Sequence, residues 1–206
     1  MKLAVISNIK SNINALKAVL QSIKNNNVDV VINLGDSFLG DIEPRQTYEL
    51  IRESNFINLC GDKDRYILEA SLAQLQEDKT LNYTYNDLGE DVLYWIQELP
   101  FEKLIGEDFY MVHGTYFNDM DSLLEEEING KIVLREEKKI LELTDNIKSK
   151  FIFCSNTSQA RCINLSTGQV VISGGSVHND VTNEASYVIL DINDNEFEIK
   201  LNKVPF

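Results

Sequence analysis

Two stretches near the start decide the architecture: Leu3-Ala4-Val5-Ile6-Ser7-Asn8, and Val28-Asp29-Val30-Val31-Ile32-Asn33-Leu34-Gly35-Asp36. Each is an apolar run with β-branched residues that ends abruptly in small and polar ones. The continuous apolar run Leu3 to Ile6 is the mark of a strand buried on both faces, and Val28 to Leu34 reads as the next buried strand. Between them Ile13, Leu16, Val19, Leu20 and Ile23 recur at helical spacing, Asn12 stands at the N-cap position, and Asn25-Asn26-Asn27 closes the segment. A helix through Tyr48, Leu50 and Ile51 and a third strand from Phe56 to Leu59 complete a β-α-β-α-β unit. Strands joined in this way pair in parallel through right-handed crossovers.

Farther along, helices are expected from Arg65 to Leu75 and along the face of Leu88, Val92, Trp95, Ile96 and Leu99, where Pro100 stops it. Phe109 to Val112 reads as a buried strand. Residues 118–147 are acidic and weakly periodic; they read as a solvated surface with one helix from Glu136 to Ile147. The end turns to strands: Phe151 to Cys154, Arg161 to Leu165, Gln169 to Ser173, Ser186 to Asp191 and Glu196 to Leu201. No linker, repeat or low-complexity tract interrupts the 206 residues, so one α/β domain spanning 1–206 is expected, with two facing mixed sheets flanked by helices.

Composition narrows the function. With 19 basic and 33 acidic residues the net charge is −14. That argues against nucleic acid and against an anionic membrane surface as partners, because both need a basic footprint. Apolar residues make up 43% of the chain, enough for a substantial core, and no run approaches a membrane span. Three cysteines, Cys60, Cys154 and Cys162, without C-x-x-C spacing point to a reducing compartment, and the cytoplasm is expected. The two histidines are His113 and His178.

In open α/β sheets, sites form at the carboxyl ends of strands. Those ends read Ser7-Asn8-Ile9-Lys10, Gly35-Asp36, Cys60-Gly61-Asp62-Lys63-Asp64, His113-Gly114 and Ser155-Asn156-Thr157-Ser158. Taken alone, Asp36 and Asp62 can pair with Lys10 and Lys63, His113 can be a hydrogen-bonded core histidine, and Asp64 can cap the helix after it.

Their order and spacing resemble the calcineurin-like metallophosphoesterase superfamily, and most of all its small bacterial and archaeal phosphodiesterases. That pattern is D-x-H, G-D, G-N-H-[DE], a lone H, and G-H-x-H, each at a strand end. Gly35-Asp36, Gly174-Gly175-Ser176-Val177 and Ala185-Ser186-Tyr187 also match. The resemblance implies the two-sheet fold, metal-dependent phosphoester hydrolysis, and Asp36 as the carboxylate shared by two metals.

The departures imply a degenerate centre. The first-metal positions hold Asn8, Lys10 and Ser158, and a lysine ammonium repels a divalent cation rather than binding it. The second-metal positions hold Asp36, Asp62, His113 and Asn156, so no metal or one (Mn²⁺, Mg²⁺ or Zn²⁺) is expected, and a two-metal centre is not. Lys63 replaces the catalytic histidine, and a lysine with an ordinary pKa near ~10.4 is a poor acid at neutral pH. Lys10 and Lys63 are the phosphate-binding candidates, with Lys10 expected to balance Asp36 in place of the first metal. Three readings follow, in order: a degenerate phosphoesterase kept for binding or regulation; a weak single-metal phosphoesterase or phosphodiesterase; and a non-hydrolytic phosphate- or nucleotide-binding module. The partner expected is a phosphate-containing small molecule or a protein.

Overall fold

The computed structural model describes residues 1–40, 42–157, 159–179, 181–194 and 196–206. In chain order the elements are β1 (Lys2–Ile6), α1 (Ile13–Asn25), β2 (Val30–Asn33), α2 (Pro44–Glu53), β3 (Ile57–Asn58), α3 (Asp62–Leu68), α4 (Leu72–Glu77), α5 (Lys79–Gln97), β4 (Glu102–Ile105), β5 (Phe109–Val112), β6 (Glu125–Ile128), β7 (Lys131–Leu134), α6 (Glu137–Thr144), β8 (Phe151–Cys154), β9 (Arg161–Asn164), β10 (Val170–Ser173), β11 (Glu184–Asn193) and β12 (Glu196–Pro205).

Two five-stranded sheets form, in the orders β12-β11-β1-β2-β3 and β4-β5-β8-β10-β9. Both are mixed. β1, β2 and β3 pair in parallel while β11 joins β1 antiparallel. β5, β8 and β10 pair in parallel while β4 and β9 close the edges antiparallel.

The period of two along each strand accounts for three apolar layers. From β1, Leu3 and Val5 face the second sheet and meet Met111, Phe151, Phe153, Val170 and Ile172. Ala4 and Ile6 point the other way, onto Leu16, Val19, Ile51, Val92 and Ile96 of the helices. Likewise Val112, Ile152, Cys154 and Val171 leave the second sheet outward, toward Ile140 and Leu124. A strand covered on both faces has no polar alternation to show, which is why these segments read as continuous apolar runs.

Several boundaries depart from the sequence reading. Residues 65–75 are two helices, because Ser71 caps α4 by accepting from Gln74 N at 3.3 Å. α5 begins at Lys79, nine residues before the first residue of the expected face, Leu88; it is capped by Asp78 and bends at Gly89, whose φ of +74° interrupts the helix. β4 and the β6–β7 hairpin were not expected, and residues 118–147 are not a plain solvated surface. Leu123, Leu124, Asp119 and Glu125 are buried there. Asn12 does cap α1, its side chain accepting from Ala15 N at 3.0 Å. Among the described residues no helix is long and apolar enough to cross a membrane.

Candidate metal centre

The strand ends of both sheets open into one cleft of about 870 Å³, lined in part by Asn8, Lys10, Asp36, Asp62, Lys63 and Asn156. The backbone that delivers them is contorted: Asn8, Lys10, Ser11, Asp36 and Asn156 all have φ between +49° and +58°. Left-handed conformations cost non-glycine residues energy and cluster where chemistry fixes the chain. The Gly35-Asp36 turn is held from below by Asn33, which donates to Ser37 Oγ (2.8 Å) and Asn58 Oδ1 (3.0 Å). Asp64, fully buried, ties this turn to α3. It accepts from Ser37 N (2.8 Å), Phe38 N (3.1 Å) and Gly61 N (3.2 Å), so it is a helix cap and a tether between loops. The two loops touch so closely that a Cβ on Gly61 would overlap Asp36 N and Asp36 Oδ1.

His113 sits fully buried at the cleft floor. Its Nδ1 lies 2.5 Å from the Leu34 carbonyl, which can only accept, so Nδ1 carries a proton. Nε2 then faces three oxygens: Asn156 Oδ1 at 3.1 Å, Asp62 Oδ1 at 3.2 Å and Asp36 Oδ1 at 3.5 Å. The Asn156 amide cannot turn its nitrogen inward, because Nδ2 donates to the Asp119 carbonyl at 2.6 Å. Four lone-pair atoms thus converge, and one positive charge must sit among them. It is either a proton on Nε2 or a metal cation.

The electrostatics agree. Burial opposes a charge on His113, but the Asp36 charge, the Asp62 hydrogen bond and the Leu34 carbonyl outweigh it and raise its pKa to about 9. Burial lifts Asp36, with His113 pulling the other way. Burial also acts upward on Asp62, yet the hydrogen bonds of His113 and Lys63 hold it at about 2. Lys63 Nζ lies 2.6 Å from Asp62 Oδ2, and that bond raises its pKa.

The donor set fits a divalent cation. Asp36, Asp62 and His113 each offer one ligand atom, all within 4.8 Å of one another. Ligands ~2.1 Å from a metal lie roughly 3–3.5 Å apart in octahedral or tetrahedral arrangements, the range of the separations from Nε2. The Leu34 carbonyl orients His113 as outer partners of metal-bound histidines do.

The first-metal positions are built differently. Asn8 directs its amide nitrogen to Ser155 Oγ (3.1 Å) and Gly175 O (3.2 Å). Lys10 corrects an expectation: it is exposed and makes no ion pair with a described residue, and its link to Asp36 is a backbone bond from Lys10 N to Asp36 O at 3.1 Å. Only the Asp62–Lys63 pair of the expected charge balance forms. Ser158 lies outside the described residues. The sequence reading did not single out Asp119. It is buried in a stretch whose acidity suggested solvent, and its carbonyl role leaves no mark in residue type.

A family model described as a calcineurin-like phosphoesterase superfamily domain matches residues 1–195. An uncharacterised protein of Methanocaldococcus jannaschii is 30% identical over 132 residues, 64% of this chain and 47% of that protein. The chain thus aligns with about half the length of that relative. A crystal structure of a hypothetical protein from Pyrococcus horikoshii OT3 superposes with a TM-score of 0.81 at 17% identity, covering 100% of this chain and 88% of that one. A metallophosphoesterase from Sphaerobacter thermophilus gives 0.77 at 19% identity, covering 100% and 89%.

Proposed function

The chain belongs to the calcineurin-like phosphoesterase superfamily, and from that premise we propose that it binds a phosphate-bearing small molecule through a single divalent cation, with only slow phosphoester hydrolysis. One observation carries the reading: the oxygens of Asp36, Asp62 and Asn156 all face His113 Nε2, whose opposite nitrogen is committed to Leu34. These four side chains would hold the cation. The oxygen-rich set with one imidazole suits Mn²⁺ best, with Mg²⁺ and Zn²⁺ as the alternatives. Such a cation polarises a phosphoryl oxygen when bound.

The residues around it bind and orient. Lys63, half exposed at the cleft and kept charged by Asp62, offers its ammonium to phosphate oxygens. Lys10, exposed on the same cleft, supplies a second positive charge. With its pKa raised by the Asp62 hydrogen bond, Lys63 is a poor proton donor near neutral pH, so leaving-group protonation is weak. Asn8 brings a neutral amide to the position where the family has a carboxylate, and Lys10 a cation where it has a histidine, which weighs against a second metal. The charge of −14 weighs against nucleic acid as the ligand.

The test is metal analysis of protein purified without chelator, titration with Mn²⁺ and then inorganic phosphate, and an assay on bis-p-nitrophenyl phosphate. One metal per chain, metal-dependent phosphate binding and turnover well below ~1 s⁻¹ are expected. Two metals per chain, or turnover above that rate abolished by Asp36→Ala, would overturn the reading.

A further inference from the structure

We propose that Arg65 and Asp119 are positioning residues that aim Asn156 at the cation site and thereby set its metal affinity; this rests on the single-cation reading above. Asn156 is a useful ligand only with Oδ1 inward, and a half-turn of its amide would present N–H groups to a cation instead. The Asp119 carbonyl prevents that turn by accepting from Nδ2 at 2.6 Å. The loop bearing Asp119 is in turn clamped by its own carboxylate. Asp119 Oδ2 and Oδ1 accept from Arg65 Nε (2.6 Å) and Nη2 (2.9 Å), a bidentate pair with the carboxylate buried. The third guanidinium nitrogen, Nη1, donates to Glu69 Oε2 at 2.8 Å, so the fork has one orientation.

Arg65 leaves α3 one turn after Asp62, itself a ligand candidate. The clamp therefore fixes Asn156, from the loop after β8, relative to Asp62. Packing closes the other direction: a Cβ on Gly114 would lie 2.6 Å from the carbonyl oxygens of Asn118, Asp119 and Asp121. The loop rests directly on the backbone following His113 and cannot settle inward if Arg65 lets go.

Outer partners of metal ligands typically contribute ~10–100-fold to affinity. Mn²⁺ titration of chelator-treated wild type, Arg65→Met, Arg65→Lys, Asn156→Ala and the Arg65→Met/Asn156→Ala double variant tests the idea. We expect Arg65→Met to weaken Mn²⁺ binding by that factor and Arg65→Lys to restore part of it. Adding Arg65→Met to Asn156→Ala should cost nothing more, since the residue it aims is gone. Unchanged affinity in Arg65→Met, or losses that multiply in the double variant, would overturn the positioning role. If Arg65→Met fails to fold, Arg65→Lys and Asp119→Asn carry the same comparison.

A metal-free readout separates this inference from the function it rests on. The Asn156 side-chain amide protons, followed by NMR, should exchange slowly in wild type and faster in Arg65→Met. Equal exchange overturns the positioning role. Absence of Mn²⁺ binding by wild type with the exchange difference intact overturns the single-cation reading alone.

Discussion

Raising the pH of metal-free protein removes the proton that His113 Nε2 holds against Asp62 and Asp36. His113 donates from Nδ1 to Leu34 and presents Nε2 to Asp62 and Asp36 at 3.2 and 3.5 Å. Its pKa of about 9 in the fold, against 6.5 for an ordinary histidine, means the folded state holds this proton more tightly than the unfolded chain. Two to three units at ~1.36 kcal/mol each amount to on the order of 3 kcal/mol. That stability is fully present below about pH 6.5 and is lost as the pH rises through about 9. Urea unfolding of chelator-treated protein between pH 6 and 10, beside His113→Gln, measures it. Wild type should lose on the order of 3 kcal/mol more than the variant across that window. Saturating Mn²⁺ should cancel the loss, because the cation then replaces the proton. A stability gap between the two proteins that does not change with pH would refute the argument that a charge is required among these oxygens.

Three further outcomes follow from single positions. Gly61→Ala places a methyl against Asp36 and 2.9 Å from His113 Cε1; it should destabilise by about 1–3 kcal/mol in urea unfolding and weaken Mn²⁺ binding in titration. Lys10→Ala should change stability by less than ~0.5 kcal/mol, because the side chain is exposed and makes no ion pair with a described residue, yet weaken phosphate binding measured by calorimetry. Thr47→Val removes a buried hydroxyl that has no hydrogen-bond partner among the described residues, and should raise stability by about 1 kcal/mol in the same unfolding assay.

The sequence by itself determined the sandwich and the identity of the convergent residues. The runs at Leu3 to Ile6 and Val28 to Leu34 report burial on both faces, and parallel strands place their carboxyl ends on one edge. Asp36, Asp62, His113 and Asn156 follow such strands, so their meeting was legible without coordinates. Local rules also settled the Asn12 cap and the role of Asp64 at the start of α3.

Only the tertiary structure decided which charges meet. Asp36, Lys10, Asp62 and Lys63 balance on paper, but the left-handed backbone at Lys10 joins it to Asp36 by main chain and leaves its ammonium exposed. The β6–β7 hairpin was hidden because its strands carry Glu125, Glu126, Glu127 and Lys131, and their pairing is set by cross-strand partners rather than by an apolar pattern. Asp119 is the clearest case. Its carboxylate meets Arg65 across 54 residues and its carbonyl meets Asn156 across 37. Periodicity and capping act over a few neighbours along the chain, whereas such contacts exist only once the sheets have packed and brought distant loops within hydrogen-bond reach. The sequence names the groups able to hold a charge, and the packed fold fixes the few tenths of an ångström that decide which of them do.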